Sequence, residues 1–315
     1  MPEIYSLAGK RVYVAGYSGM VGSALLRRLS REDCVILTPE RRALELTRQA
    51  EVEAFFASNR PDVVVMAAAR VGGILANETY PADFLLDNLV IETNVMVAAQ
   101  QTGVEKFLFL GSSCIYPRLA AQPITEDALL TGPLEPTNEW YAIAKIAGIK
   151  IGQAFRRQFG SDFISAMPTN LYGPGDNFDL TSSHVLPALL RKAHEAKLAG
   201  APTLTIWGSG TPRREFLHVD DCADALVFLL KNYSAEEHIN VGSAEDISIL
   251  ELARLVSRIV GYKGKIVNDH GKPDGMPRKL MSADKLLNLG WSSTIGLEQG
   301  IAETYRWFLD NGAGA

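Results

Sequence analysis

Arg11-Val-Tyr-Val-Ala-Gly16-Tyr-Ser-Gly19-Met-Val-Gly22 is the stretch that decides the fold. Its first half is a short apolar run, read as a buried strand. Its second half spaces three glycines as G-x-x-G-x-x-G, ahead of a helical stretch from Ser23 to Ser30. Glycines so placed permit a tight turn, a close backbone approach to a pyrophosphate, and close packing of helix on strand. The helix N-terminus then offers amide hydrogens and a positive dipole to the phosphates. Gly16, Tyr17, Ser18, Gly19, Met20, Val21 and Gly22 therefore form a candidate dinucleotide loop. The spacing is not the G-x-G-x-x-G form, so the strand-turn-helix context carries the reading.

Downstream the alternation continues. Cys34-Val-Ile-Leu-Thr38, Asp62 to Ala68, and Lys106-Phe-Leu-Phe-Leu-Gly111 read as strands, and Pro81 to Thr102 as a long helix. Strands alternating with helices predict an α/β protein with a doubly wound parallel sheet of Rossmann type. Ligands then bind at the carboxyl ends of the strands, where Ser112-Ser113-Cys114 fall. After the second strand come Glu40, Arg41 and Arg42. An acid there grips a ribose 2′-hydroxyl and an arginine accepts a 2′-phosphate, so two arginines against one glutamate favour NADP.

Glu139-Trp-Tyr141-Ala-Ile-Ala-Lys145 reads as helix, with Tyr141 and Lys145 one turn apart on one face. A phenol ionises at a pKa of roughly 10. An ammonium beside it is expected to lower that value, so that the pair can exchange a proton with a carbonyl or alcohol oxygen. Past a run from Phe163 to Tyr172, read as one strand, Pro and Gly become frequent and the strand-helix rhythm is lost. The expected division is therefore 1–172 as the cofactor-binding domain and 173–315 as a smaller α/β substrate-binding region. In that region Thr203 to Trp207 reads as a strand and Leu297 to Leu309 as a closing helix. Ser248-Ile-Leu-Glu251 is a capping-box pattern opening a helix to Val260.

Composition sets the outer limits. At 315 residues the chain fits one large or two medium domains. Hydrophobic residues make up 47% and charged residues 21%, as in ordinary globular proteins. A net charge of −5, spread along the chain, argues against nucleic-acid and membrane partners. No apolar run reaches the ~20 residues of a spanning helix, and no signal peptide is evident. Cys34, Cys114 and Cys222 are odd in number and widely spaced, which speaks against disulfides or a structural metal. The expectation is a cytoplasmic protein.

These motifs together resemble the extended short-chain dehydrogenase/reductases over essentially the whole chain. Ala68-Ala-Arg-Val-Gly-Gly73, Gly111-Ser-Ser-Cys-Ile-Tyr-Pro117, Glu135-Pro-Thr-Asn-Glu139, Met167-Pro-Thr-Asn-Leu-Tyr-Gly-Pro174, Trp207-Gly-Ser-Gly-Thr-Pro212 and Arg214 to Asp221 narrow the likeness. They are similar to the members that epimerise GDP-4-keto-6-deoxy-D-mannose at C3 and C5 and then reduce C4. The resemblance implies NADP(H) as cofactor, a GDP-sugar substrate, a homodimer, and return of part of 213–243 to the sheet. It implies Ser112, Tyr141 and Lys145 for reduction, with Cys114 and His184 as the acid/base pair for epimerisation. Cysteine and histidine, near ~8.5 and ~6.5, are both tunable toward neutrality. Read as strand, 112–114 would point Ser112 and Cys114 to one face. The likeness adds Arg41, Leu46, Leu110, Gly111, Ser113, Lys145, Pro168, Asn170, Leu171 and His184 to the cofactor site, and gives Lys192, Trp207 and Arg214 to the nucleotide sugar. Two positions depart from the pattern: Ser18 stands where an arginine is usual, and Ser282 where an aspartate is usual. A dehydratase would want an acidic pair after the strand-four serine, where Cys114 and Ile115 stand. A non-catalytic dinucleotide-binding protein would have no need of Tyr141 and Lys145.

Overall fold

The computed structural model describes residues 3–40, 42–272 and 274–311. In chain order, β1 (Lys10–Ala15), α1 (Met20–Leu29), β2 (Cys34–Leu37), α2 (Gln49–Asn59) and β3 (Val63–Met66) open the fold. The short α3 (Ile74–Thr79), the long α4 (Pro81–Thr102), β4 (Lys106–Leu110), α5 (Glu139–Phe159) and β5 (Phe163–Pro168) follow. Then come β6 (Asn170–Tyr172), α6 (Val185–Leu198), β7 (Thr203–Trp207), β8 (Arg213–His218), α7 (Val219–Asn232) and β9 (Ile239–Val241). The remainder is β10 (Asp246–Ser248), α8 (Ile249–Val260), β11 (Lys265–Asp269), β12 (Arg278–Lys279), α9 (Asp284–Leu289) and α10 (Leu297–Asn311).

Six strands form one parallel sheet in the order β2-β1-β3-β4-β5-β9. Strands β3 and β4 are buried throughout, as expected of a sheet covered on both faces. Side-chain alternation splits the core in two. Val12 and Val14 pack with Leu25, Leu29 and the α7 residues Leu226 and Leu230. Tyr13 and Ala15 face the other way, among Phe56, Val95 and Ile149 of α2, α4 and α5. The chain turns from β1 toward β2 on one side and β3 on the other. The switch point therefore lies at the carboxyl ends of β1 and β3, and the glycine loop follows β1 there.

The run from Phe163 to Tyr172 is two strands, not one. At Thr169 the N–H still donates to Val241 O (3.0 Å), but Asn170 already pairs with Phe216 of β8 in a second sheet. That sheet has β8 between β10 and β12. A parallel pair, β7 with β11, lies beyond it. A third core of Leu189, Leu190, Leu204, Leu252, Val256 and Phe308 joins α6, α8 and α10 to these strands. Helix α8 opens with a complete capping box: Glu251 N donates to Ser248 Oγ (3.2 Å), and Ser248 N to Glu251 Oε2 (3.0 Å). Between β8 and β10, helix α7 carries the chain back against α1, and β9 takes the edge of the large sheet.

Candidate active site

The glycine loop is shaped by contact as well as by torsion. Gly16 has φ +83°, and a Cβ on it would lie 2.7 Å from the backbone of Ala68. A Cβ on Gly22 would lie 2.1 Å from Gly16 O. Helix α1 begins at Met20 with Gly19 as N-cap and no side-chain cap, which leaves its first-turn N–H groups for another acceptor. This close-packed, uncapped turn at the switch point fits a dinucleotide diphosphate. Ser18 is exposed beside it. Leu110, Gly111, Ser113 and Pro168 are buried at the ends of β4 and β5, and Leu46 and Leu171 are half-buried against the two cores. The Asn170 amide donates to Glu215 O (2.7 Å), so it also ties β6 to β8. Arg41 lies outside the described residues.

Beyond β4 the chain does not continue as a strand. Ser112 caps a 3-10 turn, Ser113–Ile115, and Cys114 N donates to its Oγ (3.4 Å). The strand alternation expected for Ser112 and Cys114 therefore gives way to a turn, which buries Cys114 (6% exposed). Burial pushes the Cys114 thiol above its ordinary range, against the opposing pull of the Lys279 ammonium, the Ser112 hydrogen bond and Lys145. Lys279 lines the same small cavity as Cys114, with Glu135, Asn138 and Met276.

Tyr141 and Lys145 lie on α5 as the spacing predicts, but their electrostatics differ from the expectation. The Lys145 ammonium sits 5.7 Å from the centre of the Tyr141 ring and donates to Glu92 Oε1 at 2.7 Å. Its charge is answered by that carboxylate. Burial, then Cys114 and Glu92, drive the Tyr141 phenol well above the usual tyrosine range. Tyr141 is thus held as a neutral acid, the form that donates a proton. The Phe84 ring meets it edge-on with centroids 6.5 Å apart.

His184 is the N-cap residue of α6. It is exposed by area yet closely surrounded by protein. The protein around it, with the Lys279 ammonium second, holds its imidazole below the ordinary histidine range. The loop before it is pinned by the Ala68–Gly73 segment: Gly73 N donates to Ser182 O (2.9 Å), and a Cβ on Gly73 would come within 2.9 Å of Ser183 O.

Trp207 ends β7 with its side chain exposed, Lys192 Nζ 5.4 Å and Lys272 Nζ 5.3 Å from its ring centre. Arg214 Nη1 donates to Met276 O (2.7 Å), while Asp274 Oδ1 accepts from Ser209 N (2.6 Å). The segment 274–276 thereby braces both Arg214 and the turn after Trp207. Ser282, the second departure from the family pattern, is buried and donates to Asp284 Oδ2 (2.8 Å). Glu92, Lys272 and Lys279 escaped the sequence reading. Glu92 had a signal, since Phe84, Asn88 and Glu92 fall on one stripe of α4. Among the described residues no cluster of three His, Cys, Asp or Glu could hold a metal ion, and no helix is long and apolar enough to cross a membrane.

Comparison with known proteins agrees with this architecture. The family model described as "NAD dependent epimerase/dehydratase family" matches residues 12–242. A GDP-L-fucose synthase of Sinorhizobium fredii is 63% identical over 98% of this chain and 98% of its own. The Escherichia coli GDP-L-fucose synthase is 53% identical, over 97% of this chain and 98% of its own. The crystal structure of a GDP-L-fucose synthetase from Naegleria fowleri bound to NADP is 30% identical, with a TM-score of 0.90 over 98% of this chain and 97% of that one. With the glycine loop at the switch point and Ser112, Tyr141 and Lys145 at the end of β4 and on α5, the chain belongs to the NAD dependent epimerase/dehydratase family.

Proposed function

We propose that this chain converts GDP-4-keto-6-deoxy-D-mannose to GDP-L-fucose, by epimerisation at C3 and C5 followed by NADPH-dependent reduction of C4. The observation that carries the reading is the company kept by Cys114. It lies two residues past Ser112 and bears electrostatically on Tyr141, while Lys279 acts on both Cys114 and His184. A plain 4-reductase has no use for that second acid/base set. The 53–63% identity to GDP-L-fucose synthases supports the same substrate.

The ketone acidifies the hydrogens at C3 and C5, because removing either leaves an enolate with its charge on the C4 oxygen. Tyr141 and Ser112 donate hydrogen bonds to that oxygen and stabilise the charge. Cys114, as thiolate, takes the proton from carbon on one face. His184 returns one on the other, after taking a proton against the surroundings that disfavour its charged form. The Lys279 ammonium works against the cost of forming a buried thiolate. NADPH, when bound, supplies the hydride to C4, and Tyr141 gives its phenolic proton to the oxygen as the alcohol forms. The loop 16–22 would hold the diphosphate, Lys145 the nicotinamide ribose, and Arg41 the 2′-phosphate. Trp207, Lys192 and Arg214 would hold the GDP moiety, the guanidinium fork suiting its diphosphate.

In this reading 1–172 is the cofactor domain and 173–315 mainly the substrate domain. The enzyme works in the cytoplasm as a homodimer; exposed Leu86 and Val90 on α4 and Ile143 on α5 support a second copy as the partner. The deciding experiment incubates the enzyme with GDP-4-keto-6-deoxy-D-mannose and NADPH and assigns the product by NMR. GDP-L-fucose is expected. A reduced product that keeps the manno configuration at C3 and C5, or no NADPH oxidation, would refute the proposal.

A further inference from the structure

Helix α4 touches the site through one stripe. Phe84, Asn88 and Glu92 recur every four residues, and all three are buried. Phe84 meets the Tyr141 ring edge-on. Asn88 accepts from Arg70 N (2.9 Å) and donates to Arg70 O (3.1 Å), holding the segment that pins the His184 loop. Glu92 reaches Lys145.

Stability does not explain the third contact. Glu92 and Lys145 are each 1% exposed, and the carboxylate has a single hydrogen bond, from Lys145 Nζ. Its other oxygen, Oε2, is buried without a hydrogen-bond partner among the described residues. Burying two charges costs several kcal/mol, recovered only when the remaining lone pairs are satisfied. Burial indeed pushes Glu92 above the usual carboxylate range, against the pull of Lys145. An apolar pair would fill the same space at lower cost.

We propose that Glu92 is a positioning residue for the reduction: from 2.7 Å it fixes the Lys145 ammonium under Tyr141 and offsets its charge, so that the phenol keeps its proton until the C4 oxygen takes it. The inference deepens the proposed reaction and rests on it for the identity of that oxygen. The ionisable groups facing the pair are Tyr141 and Lys145 on α5, Glu92 on α4 and Cys114 in the turn after β4, with Lys279 of β12 beyond the thiol. The Phe109 ring of β4, 4.8 Å from Lys145 Nζ, closes the remaining side. Without Glu92 the negative charge that opposes ionisation of the phenol would be gone, leaving the ammonium's pull uncompensated, and the phenol would ionise more easily.

Glu92→Gln is nearly isosteric and removes only the charge; Glu92→Asp keeps the charge on a shorter arm. The ligand-free enzyme, labelled with carbon-13 at tyrosine Cζ, is titrated by NMR, with the Tyr141 signal assigned by Tyr141→Phe. In Glu92→Gln the Tyr141 midpoint should fall by about one to two pH units, while Glu92→Asp stays close to wild type. The alkaline limb of the reduction profile should move with it. Reduction at neutral pH, where the phenol stays protonated, should drop about tenfold through the loosened Lys145 ammonium, part of the roughly 10²–10⁴ a positioned general acid provides. Solvent exchange at C3 and C5 should stay within about twofold, because it does not need the phenol to lose its proton. If Tyr141 titrates alike in all three proteins, or both half-reactions fall equally in both variants, the inference is overturned. A wild type that never oxidises NADPH with this sugar, yet shows the Tyr141 shift, would sink the proposed reaction and leave the role of Glu92 standing.

Discussion

Lys192 Nζ stands 5.4 Å from the centre of the exposed Trp207 ring, and Lys272 stands 5.3 Å from it. An indole left open to solvent between two ammonium groups is poor packing and good recognition of a flat, anionic ligand. Base stacking on an aromatic face is worth roughly 1–3 kcal/mol. Trp207→Leu should therefore raise the Michaelis constant for the GDP-sugar about tenfold and leave kcat nearly unchanged. Steady-state kinetics against the sugar at saturating NADPH checks this; a loss confined to kcat would remove Trp207 from the binding site.

The two half-reactions should separate by mutation. Tyr141→Phe keeps the ring against Phe84 and deletes the proton donor, so reduction should fall by roughly 10²–10⁴, while exchange at C3 and C5, with Ser112 still donating to the enolate oxygen, falls less. Cys114→Ser should do the reverse, losing deuterium incorporation at both carbons with NADPH binding intact. Because burial raises the Cys114 pKa, its thiolate fraction grows with alkalinity. Wild-type exchange should accordingly climb from pH 7 to 9. Wild-type exchange in Cys114→Ser, followed by NMR in deuterated water, would return this cysteine to a packing role.

Two glycines should fail differently when replaced. A methyl on Gly22 would meet Gly16 O at 2.1 Å, a backbone atom that cannot move aside cheaply. Gly22→Ala should deform the phosphate turn and weaken NADPH binding tenfold or more, at a stability cost of about 1–3 kcal/mol. Gly73→Ala would press on Ser183 O at 2.9 Å, just before His184. Its backbone torsions suit alanine, so exchange at C3 and C5 should suffer while NADPH affinity holds. Fluorescence titration with NADPH, beside the exchange assay, distinguishes the two.

Asp176 predicts a pH dependence of stability. Burial raises its carboxyl from 3.8 to about 7, and its Oδ2 is enclosed without a partner among the described residues, although the residue is half-buried as a whole. A folded pKa raised above the unfolded value stabilises the fold fully below about pH 3.8, and that contribution is lost as pH rises through 7. Asp176→Asn removes the loss. Relative to wild type, the variant should gain on the order of 2–4 kcal/mol between pH 4 and pH 8, read from denaturant unfolding of the ligand-free enzyme. A constant difference across that range would contradict the assignment.

The sequence was most informative where a local rule governs. The glycine loop, the strands of the large sheet, the α5 pair and the α8 capping box all follow from spacing within a dozen residues. What escaped it depends on partners far along the chain. Phe163 to Tyr172 reads through Pro168 as one strand, and the break at Thr169 is completed by β8, more than forty residues later, which recruits Asn170. Glu92 shares the α4 stripe of Phe84 and Asn88, but its role depends on Lys145, 53 residues on, being placed against it. Ser112 and Cys114 continue an apolar strand on paper, yet the serine's own hydroxyl caps a turn there. Lys279 meets Cys114 only because a two-residue strand is added beside Arg214.

The switch at Thr169 has a mechanical side. The chain passes from the large sheet to the small one between Pro168 and Asn170, back from β8 into α7 at His218, and out again between β9 and β10. It returns once more with α9, whose Leu286 joins the first core, and leaves with α10, whose Phe308 joins the third. These crossings, two of them with no loop at all, join the halves like a laminated board rather than a book. Swinging one half open would mean breaking the Thr169–Val241 backbone bond and bending all of these backbones together. Access to the sugar site therefore falls to the connecting segments at its rim, those carrying Gly73, Ser182 and 274–276, and turnover should respond to changes there far more than to anything that loosens the two halves.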